Sequence, residues 1–333
     1  MVETLIITQD EVPALLPMSD CIQVVREALA ALARDEGIQP LRPIMWLPEK
    51  VGALGMMPGY LADIDTLGIK TVTVFPGNAG TKYDSHQGSI MLFDGANGRL
   101  KAVIDATEIT TIRTAAASAV ATDVLARPDA RVLAILGSGV QAGSHIDAMA
   151  AVRPIGEVRV WSRQPANADR LVALKAASGL TIRTVASVAE AVGGADIVCT
   201  TTASHDPVLT GDLLEPGMHI NAVGSSVPFA RELDTGVMTR SRLFVDRRES
   251  TLNEAGDFLI AQAEGAIDES HIVAEIGELL IGAAEGRGND EEITLFKSLG
   301  LAVEDVAAGN LVYCNALAAG AGTRLVLGGL RHD

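Results

Sequence analysis

Two patterns of apolar and polar residues divide the chain. Residues 18–104 contain an amphipathic helix followed by β-rich runs at residues 67–75, 88–93 and 100–104, with turn-forming residues between the runs. After residue 131, short and fully apolar runs alternate with helical segments. The first pattern predicts a largely antiparallel sheet, and the second predicts a parallel sheet that is covered on both faces.

The first of these fully apolar runs ends in a glycine-rich turn that opens an alanine-rich helix. In this GxGxxA turn, Gly137 permits a tight bend, Gly139 lets a pyrophosphate approach the backbone, and Ala142 allows close helix packing. The N-terminus of the helix adds free N–H groups and a positive dipole end. Further buried-type runs follow at residues 157–161, 197–201, 220–223 and 243–245. This context predicts a Rossmann-type dinucleotide-binding domain.

The residues after the second strand of this unit indicate which cofactor it takes. Enzymes that prefer NAD(H) usually have an acidic residue there, whereas this chain has Ser162 and Arg163. A guanidinium can stack on adenine and bind a 2′-phosphate through charge-assisted hydrogen bonds, each worth about 1.5–3 kcal/mol. We therefore predict NADPH/NADP rather than NADH, with a solvated loop arginine as the alternative role of Arg163. The predicted cofactor-binding residues are Gly137, Ser138, Gly139, Val140, Gln141, Ser162, Arg163, Thr201, Thr202, Val223, Gly224 and Ser225.

The length and two helix signals indicate how the domains are arranged. A chain of 333 residues with 48% hydrophobic content can form two cores. Asp105 and Glu108 have the spacing of a capping box, which predicts a helix that leads into the Rossmann domain. A small-residue-rich helix at residues 310–322 is expected to return to the first region. The predicted α/β protein has a Rossmann-type domain at residues 116–309 and a discontinuous α+β domain at residues 1–115 with 310–333.

Charge and composition narrow the partners and the compartment. The net charge of −16 and the aromatic content of 3% argue against binding to nucleic acids or to anionic membranes. The N-terminus lacks a signal-type segment and no apolar stretch could span a bilayer, so we expect a cytoplasmic protein. Cys21, Cys199 and Cys314 are far apart in apolar surroundings and are expected to be buried free thiols. The histidine spacing suggests no metal site.

Ten short motifs occur in order along nearly the whole chain. They are residues 57–58 (MP), 68–70 (GIK), 85–87 (SHQ), 113–118 (RTAAAS), 135–142 (ILGSGVQA), 158–163 (VRVWSR), 219–224 (HINAVG), 231–234 (RELD), 296–300 (FKSLG) and 304–305 (ED). Together they resemble the ornithine cyclodeaminase/μ-crystallin family, and most closely its ketimine reductase and alanine dehydrogenase branch. The resemblance implies an NAD(P)-dependent oxidoreductase acting on C–N bonds, a small imino or amino acid as substrate, and a homodimer built through the non-Rossmann domain.

The resemblance also implies which residues hold the substrate. In that family an arginine of the N-terminal domain, the lysine of the GxK strand and the arginine of the RTAA helix bind the α-carboxylate, and they correspond here to Arg42, Lys70 and Arg113. Such a clamp would fix the substrate's orientation for hydride transfer. Lys70 and Arg113 lie in apolar segments, where a cation without a partner would be costly. Arg42 lies in a loop and could instead be solvated. His86 could orient the substrate or cofactor, or be purely structural.

One departure from the family's pattern bears on the reaction. Cyclodeaminases of this family tend to carry an acidic residue at the position that is Ser226 here, and a serine cannot act as a carboxylate base near neutral pH. Together with Arg163, Ser226 favours an NADPH-dependent reductase of imino acids. The alternatives are an ornithine cyclodeaminase, an alanine dehydrogenase, or a protein that binds NADPH and a small ligand without turnover.

Overall fold

The computed structural model describes residues 3–78 and 80–329 of the chain. Within these residues the strands are β1 (Thr4–Ile7), β2 (Gly37–Ile38), β3 (Ile44–Trp46), β4 (Ala53–Leu61), β5 (Thr66–Val74), β6 (His86–Asp94), β7 (Leu100–Asp105), β8 (Val132–Leu136), β9 (Glu157–Trp161), β10 (Thr181–Thr184), β11 (Ile197–Thr200), β12 (His219–Ala222), β13 (Arg242–Val245), β14 (Ile272–Glu275), β15 (Thr294–Lys297) and β16 (Thr323–Leu325). The α-helices are α1 (Val12–Leu15), α2 (Met18–Ala33), α3 (Ala106–Leu125), α4 (Val140–Val152), α5 (Pro165–Leu174), α6 (Val188–Val192), α7 (Thr235–Arg240), α8 (Arg248–Glu254), α9 (Gly256–Ala263), α10 (Ile276–Leu280) and α11 (Ala302–Ala319).

The elements group into two units. Unit 1 comprises Met1–Arg113 and Leu301–Asp333, and unit 2 comprises Thr114–Gly300. The first boundary lies two residues before the predicted one. The second boundary lies after Gly300 rather than after residue 309, because α11 is one continuous helix that belongs entirely to unit 1.

Unit 1 is built on a sheet with the strand order β16-β1-β7-β6-β5-β4-β2, in which β3 also pairs with β4. All of its pairs are antiparallel except β1 with β7. The alternating burial of β4 shows that one face of the sheet is packed and the other is less covered. Helices α2 and α11 supply the apolar side chains of this core, including Val25, Leu29 and Val306.

Two glycines allow α11 to lie close against the sheet of unit 1. Gly59 in β4 and Gly68 in β5 are directly paired. A Cβ atom on Gly59 would lie 3.1 Å from the Cβ of Ala302, and one on Gly68 would lie 2.6 Å from Cγ2 of Val306. Any side chain at these positions would therefore push the first turns of the helix away from the strands.

Unit 2 has a parallel sheet with the strand order β10-β9-β8-β11-β12-β15-β13-β14. Its first six strands have the order 3-2-1-4-5-6 of a dinucleotide-binding fold, counted from β8 through β15. Strands β8, β11 and β12 are almost completely buried, as expected for strands that are covered on both faces. The predicted fold class, a Rossmann-type domain with a discontinuous α+β domain, is confirmed.

Some local expectations differ from the structure. Asp105 does cap α3, because its Oδ1 accepts a hydrogen bond of 2.8 Å from the N–H of Thr107. The sequence predicts that α2 starts at a Ser19 cap, but the helix begins at Met18 with Pro17 as its N-cap, so Ser19 lies inside the first turn. Cys21 and Cys199 are buried, but Cys314 is exposed on α11 and was wrongly expected to be buried.

Candidate active site

Two cations predicted to bind the substrate lie together in unit 1. Nζ of Lys70 is 2.8 Å from Oδ2 of Asp305, and Nε of Arg113 donates a hydrogen bond of 2.9 Å to Oδ1 of the same carboxylate. All three side chains are at most 4% exposed. Strand β5, helix α3 and helix α11 therefore converge on one shared acidic residue.

A second carboxylate completes this group, which we call the charged cluster (Lys70, Arg113, Glu304 and Asp305). Oε2 of Glu304 accepts a hydrogen bond of 2.8 Å from NH1 of Arg113 and one of 3.3 Å from the N–H of Leu301. Glu304 and Asp305 lie in the first turn of α11, where the positive end of the helix dipole favours negative charge. The cluster contains two cations and two carboxylates, so its formal charges balance.

The local sequence explains how Lys70 reaches the cluster. Lys70 and Gly68 are two residues apart in β5, so both side-chain positions face the same side of the sheet. Because Gly68 has no side chain, α11 packs against that face and brings Asp305 next to the ammonium group. The spacing in the GIK motif thus has a structural reason.

Burial in the cluster changes the acidity of Lys70. Desolvation, together with repulsion from Arg113, lowers the pKa of Lys70 to about 8, although attraction to Asp305 and Glu304 opposes both effects. A lysine with this pKa is protonated at neutral pH but can give up a proton more easily than an exposed lysine. It can therefore both attract a carboxylate and donate a proton.

The other two predicted substrate residues lie elsewhere on unit 1. Arg42 is half-buried in the segment between β2 and β3. The carbonyl of the next residue, Pro43, accepts a hydrogen bond of 3.0 Å from the N–H of Met56, and Met57 is the strand partner of Lys70. Arg42 therefore lies at the level of Lys70 with β4 between them, about 10 Å away at the usual spacing of strands.

His86 is separated from the charged cluster along the sheet. It is the first residue of β6, is exposed, and its Nδ1 lies 3.1 Å from Oγ of Ser85. The strand partner of Lys70 is Ile90, so His86 lies about 13 Å along β6 from that position by strand rise. A role for His86 toward substrate or cofactor stays a prediction.

The predicted pyrophosphate turn is formed in unit 2 between β8 and α4. Gly137 has a φ of +133°, and a Cβ atom there would lie 2.6 Å from both O and Oγ1 of Thr201. Gly139 is the N-cap of α4, and a Cβ atom there would meet nothing within 4 Å. The packing of the protein thus requires glycine at 137, whereas the space beside Gly139 suits a phosphate group that approaches the backbone.

The adenosine end of the predicted site lies at the ends of β8 and β9. Oγ of Ser138 donates a hydrogen bond of 2.9 Å to Oγ of Ser162, which joins the glycine-rich turn to the loop after β9. Arg163 follows Ser162 and is exposed. Val140 is 72% exposed at the first residue of α4, beside Gln141. These residues leave the turn accessible to a dinucleotide and place no acidic side chain after β9.

The remaining predicted cofactor residues lie in two loops that share one acidic partner. Glu232 is fully buried, and its Oε1 accepts a hydrogen bond of 2.6 Å from the N–H of Thr202. Its Oε2 accepts hydrogen bonds of 2.7 Å from the N–H of Gly224 and from Oγ1 of Thr200. The loops that follow β11 and β12, which carry the predicted residues Thr201 to Thr202 and Val223 to Ser225, are thereby tied together.

A buried ion pair supports the second of these loops. Nζ of Lys297 donates a hydrogen bond of 2.6 Å to the carbonyl of Ser225 and lies 2.8 Å from Oδ2 of Asp257. Oδ1 of Asp257 accepts hydrogen bonds from the N–H groups of Glu232 and Leu233 at 2.8 and 3.0 Å. This network fixes the backbone from which Glu232 extends.

The residue-by-residue reading of the sequence missed several members of these groups. Four of them lie inside the motifs quoted above, but no function was predicted for them: Glu304, Asp305, Glu232 and Lys297. A fifth, Asp257, lies outside those motifs. A usable signal was present, since charged residues next to buried strands need partners. The sequence does not say which partners, because Arg113 and Asp305 are 192 positions apart.

Metal-binding groups and membrane-spanning helices are both absent from the part of the chain that the structure describes. Residues 3–78 and 80–329 contain no group of three or more His, Cys, Asp or Glu side chains arranged to hold a metal ion. None of the helices in those ranges has the length and apolar character needed to cross a membrane.

Comparisons with known proteins bear on the family and the fold of this chain. The model of the ornithine cyclodeaminase/mu-crystallin family matches residues 2–320. The ketimine reductase mu-crystallin of Mus musculus is 43% identical over 295 residues, which are 88% of this chain and 90% of that protein. The structure of Thermococcus litoralis Delta(1)-pyrroline-2-carboxylate reductase in complex with NADH and L-proline has a TM-score of 0.94 and 39% identity, and covers 97% of this chain and 100% of its own.

A further solved structure is that of an archaeal alanine dehydrogenase dimer with bound NAD. It has a TM-score of 0.93 and 33% identity, and the match covers 98% of this chain and 100% of that chain. These relatives confirm the family resemblance, the fold class and the expectation of an oxidoreductase that acts on C–N bonds. They also support a nicotinamide dinucleotide as the cofactor in the broad sense, without distinguishing NADPH from NADH.

Proposed function

The chain belongs to the ornithine cyclodeaminase/mu-crystallin family, and on that premise we propose that it is an NADPH-dependent reductase of imino acids. Unit 2 would hold the cofactor, and unit 1 would hold the carboxylate of the substrate. The reaction adds a hydride to the carbon of a C=N bond beside a carboxylate and a proton to the nitrogen. The product is an amino acid, linear or cyclic.

The observation that carries this proposal is the shared contact of Lys70 and Arg113 with Asp305. Such a buried pair of cations would hold a carboxylate in a fixed orientation. Since Glu304 and Asp305 already balance their charge, a bound carboxylate would leave the group with one excess negative charge. Arg42, at the level of Lys70 in the sheet, would supply the balancing positive charge.

Lys70 would also serve the chemistry of the C=N bond. A protonated imine accepts a hydride more readily than a neutral one, and an ammonium group with a pKa of about 8 is a suitable proton donor near neutral pH. Arg113 remains charged throughout and would keep the carboxylate in place while Lys70 donates. The bound cofactor would supply the hydride.

Binding of NADPH would use the turn at Gly137 to Gly139 for the pyrophosphate and Arg163 for the 2′-phosphate. The relatives with solved structures carry NADH or NAD, so the choice of NADPH for this chain rests on its own residues. Arg163 is exposed beside the glycine-rich turn, and Ser162 is joined to Ser138 by a hydrogen bond. Neither residue would repel a 2′-phosphate.

Ser226 supports a reductase rather than a cyclodeaminase. It follows the loop residue Ser225 after β12, and a hydroxyl at that position offers no carboxylate to accept protons from an amino group. Three alternatives would contradict the proposal. They are ornithine cyclodeaminase activity, alanine dehydrogenase activity, and binding of the cofactor without turnover.

The test measures loss of nicotinamide absorbance with NADPH and, separately, NADH. The substrates are cyclic imino acids, pyruvate with ammonia and pyruvate with methylamine, and L-ornithine with NAD⁺ is the counter-test. NADPH-dependent reduction of a cyclic imino acid supports the proposal. Release of ammonia and proline from ornithine, or tight NADPH binding without turnover of any substrate, contradicts it.

Two further features stay predictions for this chain. A homodimer is supported by the dimer of the archaeal alanine dehydrogenase. A cytoplasmic location rests on the sequence alone. Size-exclusion chromatography with light scattering, and fractionation of the source cells, would test them.

A further inference from the structure

We propose that Glu232 is a positioning residue that holds the two loops expected to contact the nicotinamide half of the cofactor. The inference rests on the proposed nicotinamide cofactor. In a dinucleotide-binding fold, the first three strands of the sheet bind the adenosine half and the second three bind the other mononucleotide. The loops after β11 and β12 belong to the second group.

The carboxylate of Glu232 is saturated by donors from both loops. The N–H of Thr202 and Oγ1 of Thr200 come from the end of β11 and its loop, and the N–H of Gly224 comes from the loop after β12. All three hydrogen bonds are 2.6–2.7 Å long. Glu232 is fully buried, whereas Gly224 is exposed, so the carboxylate supports the loop from beneath.

The chemistry of the donors requires a carboxylate at this place. Both oxygen atoms accept hydrogen bonds from groups that can only donate or that donate here. An amide would turn its NH2 group toward the N–H of either Thr202 or Gly224 and lose that bond. Burial raises the pKa of Glu232, while the hydrogen bonds that it accepts from Thr202 and Thr200 and the positive charge of Lys297 oppose that effect. Replacing the carboxylate by an amide leaves one buried N–H without an acceptor, which carries a free-energy penalty.

The close approach of the two loops depends on the same arrangement. A Cβ atom on Gly224 would collide with the carbonyl oxygen of Thr202 and lie 2.5 Å from Oε1 of Glu232. Glycine at 224 therefore lets the loops meet over the carboxylate. Asp257 and Lys297 hold the backbone of Glu232 and the carbonyl of Ser225 from the other side.

The backbone pairing of the sheet in unit 2 does not account for the network of Glu232, Asp257 and Lys297. Strands β11 and β12 are buried, and their backbone ladders are complete with β8 and β15, so neither strand needs a charged partner for its backbone. The network of two carboxylates and a lysine instead contacts the two loops at the carboxyl ends of β11 and β12. We infer that their fixed position, rather than the stability of the sheet, is what the network provides.

The test compares the wild type with Glu232→Gln in two measurements. Binding of NADPH and of adenosine 2′,5′-bisphosphate, a fragment that lacks the whole nicotinamide half of NADPH, is measured by calorimetry. Loss of one charge-assisted hydrogen bond predicts that E232Q weakens NADPH about 10-fold and the fragment less than about 3-fold. In the protein without nucleotide, hydrogen exchange should become faster by about 10-fold at the amide of Thr202 or of Gly224, whichever loses its acceptor.

Asp196→Asn is the matched control. Oδ2 of Asp196 accepts hydrogen bonds of 2.8 and 3.0 Å from the N–H groups of Arg131 and Val132, and its Oδ1 accepts one from Arg127, at the opposite edge of the same sheet. D196N therefore makes the same chemical change far from the two loops. It should leave the ratio of the two affinities unchanged. If E232Q does not fold, Thr200→Val removes one of the three donors and should give an effect of about 3-fold in the same direction.

The outcomes separate this inference from the proposed function. If wild-type protein binds NADH and not NADPH, the same comparison is made with NADH and AMP, and only the cofactor choice is wrong. Equal weakening of cofactor and fragment by E232Q, or unchanged affinity for both, overturns the positioning role alone. A wild-type protein that binds neither nucleotide overturns the inference and the proposed function together.

Discussion

Lys70 and Asp305 form an ion pair of 2.8 Å in which both side chains are at most 3% exposed. Burial and repulsion from Arg113 lower the pKa of Lys70 to about 8, and attraction to Asp305 raises it. Asp305 therefore favours the protonated form of this buried lysine. The pair couples the proton-donating group of the proposed reaction to a residue on a different element of unit 1.

This coupling predicts the pH dependence of the reaction. Lys70 loses its proton as the pH rises through about 8, so kcat/KM for the imino acid should fall above that pH. Asp305→Asn removes an interaction that raises the pKa of Lys70 and should move the fall to lower pH. The measurement is kcat/KM at saturating NADPH across the pH range for wild type and D305N. The exposed carboxylate variant Glu36→Gln is the control, and an unmoved midpoint in D305N would contradict the prediction.

Removing Asp305 should also destabilise the protein. Asp305→Ala leaves Lys70 and Arg113 buried with one carboxylate between them, and breaking a buried ion pair in this way costs about 3–5 kcal/mol. Urea denaturation measures the loss. Arg34→Ala is the comparison, because Arg34 pairs with Glu36 at side-chain exposures of 46% and 48%, and such surface pairs contribute about 0–1 kcal/mol. Similar losses in both variants would show that the charged cluster is solvated.

The close packing of α11 on β5 predicts that one substitution destabilises the protein and that a second substitution compensates for part of the loss. Gly68→Ala places a Cβ atom 2.6 Å from Cγ2 of Val306, and this overpacking should cost about 1–3 kcal/mol. Val306→Ala removes the obstructing methyl groups, so the double variant should be less destabilised than the sum of the two single variants. A double-mutant cycle by chemical denaturation measures the difference. Strict additivity would mean that Gly68 is not what admits the helix.

The Rossmann half of the fold was predictable because its signals are local. Gly137 and Gly139 follow one apolar strand and precede one helix, and the geometry of that turn is set by neighbouring residues. Arg113 was predictable only through a short motif. Its partners Glu304 and Asp305 could not be assigned from the pattern, because a buried cation requires an anion without indicating which one.

Exposure on a helix was the harder property to predict. Cys314 and Val312 both lie in the small-residue-rich helix α11, yet Val312 is buried and Cys314 is exposed. Alanine and glycine on most faces of this helix weaken the amphipathic pattern that would distinguish the covered side. The packing partners, rather than the sequence period, decide which face is buried. Glu232 was not predicted for a similar reason, because the groups that donate hydrogen bonds to its carboxylate lie 8 to 32 positions away in the chain.

The choice of cofactor predicts a selective effect of Arg163→Ala. The variant loses a guanidinium that would bind the 2′-phosphate, so the Kd for NADPH should rise about 10- to 100-fold while the Kd for NADH changes little. Fluorescence titration of both cofactors gives the ratio. Arg170→Ala removes another exposed arginine from the following helix α5 and should leave that ratio as in the wild type. An unchanged ratio in R163A would assign Arg163 to the solvated loop.

The balance of charges in the charged cluster predicts that Arg42 has a different role from Lys70 and Arg113. The two buried cations are balanced by Glu304 and Asp305, so Arg42 would provide the charge that a substrate carboxylate adds. Arg42→Met should therefore lower kcat/KM for an imino acid about 10- to 100-fold, the cost of one charge-assisted hydrogen bond or slightly more. NADPH affinity should not change. Lys70→Met and Arg113→Met should reduce turnover and also destabilise the fold, because each leaves a buried carboxylate without its cation.

A substrate without a carboxylate separates binding of that group from every other effect of Arg42. A cyclic imine that lacks the carboxylate should react equally slowly with R42M and with the wild type. Neither protein can hold such a substrate through the contacts of Arg42, Lys70 and Arg113 with a carboxylate. The preference for the carboxylated imine over the plain imine should therefore fall about 10- to 100-fold in R42M and recover in part in Arg42→Lys, which restores the charge without the bidentate geometry. Equal losses on both imines would mean that Arg42 acts on the structure of unit 1 and not on the carboxylate of the substrate.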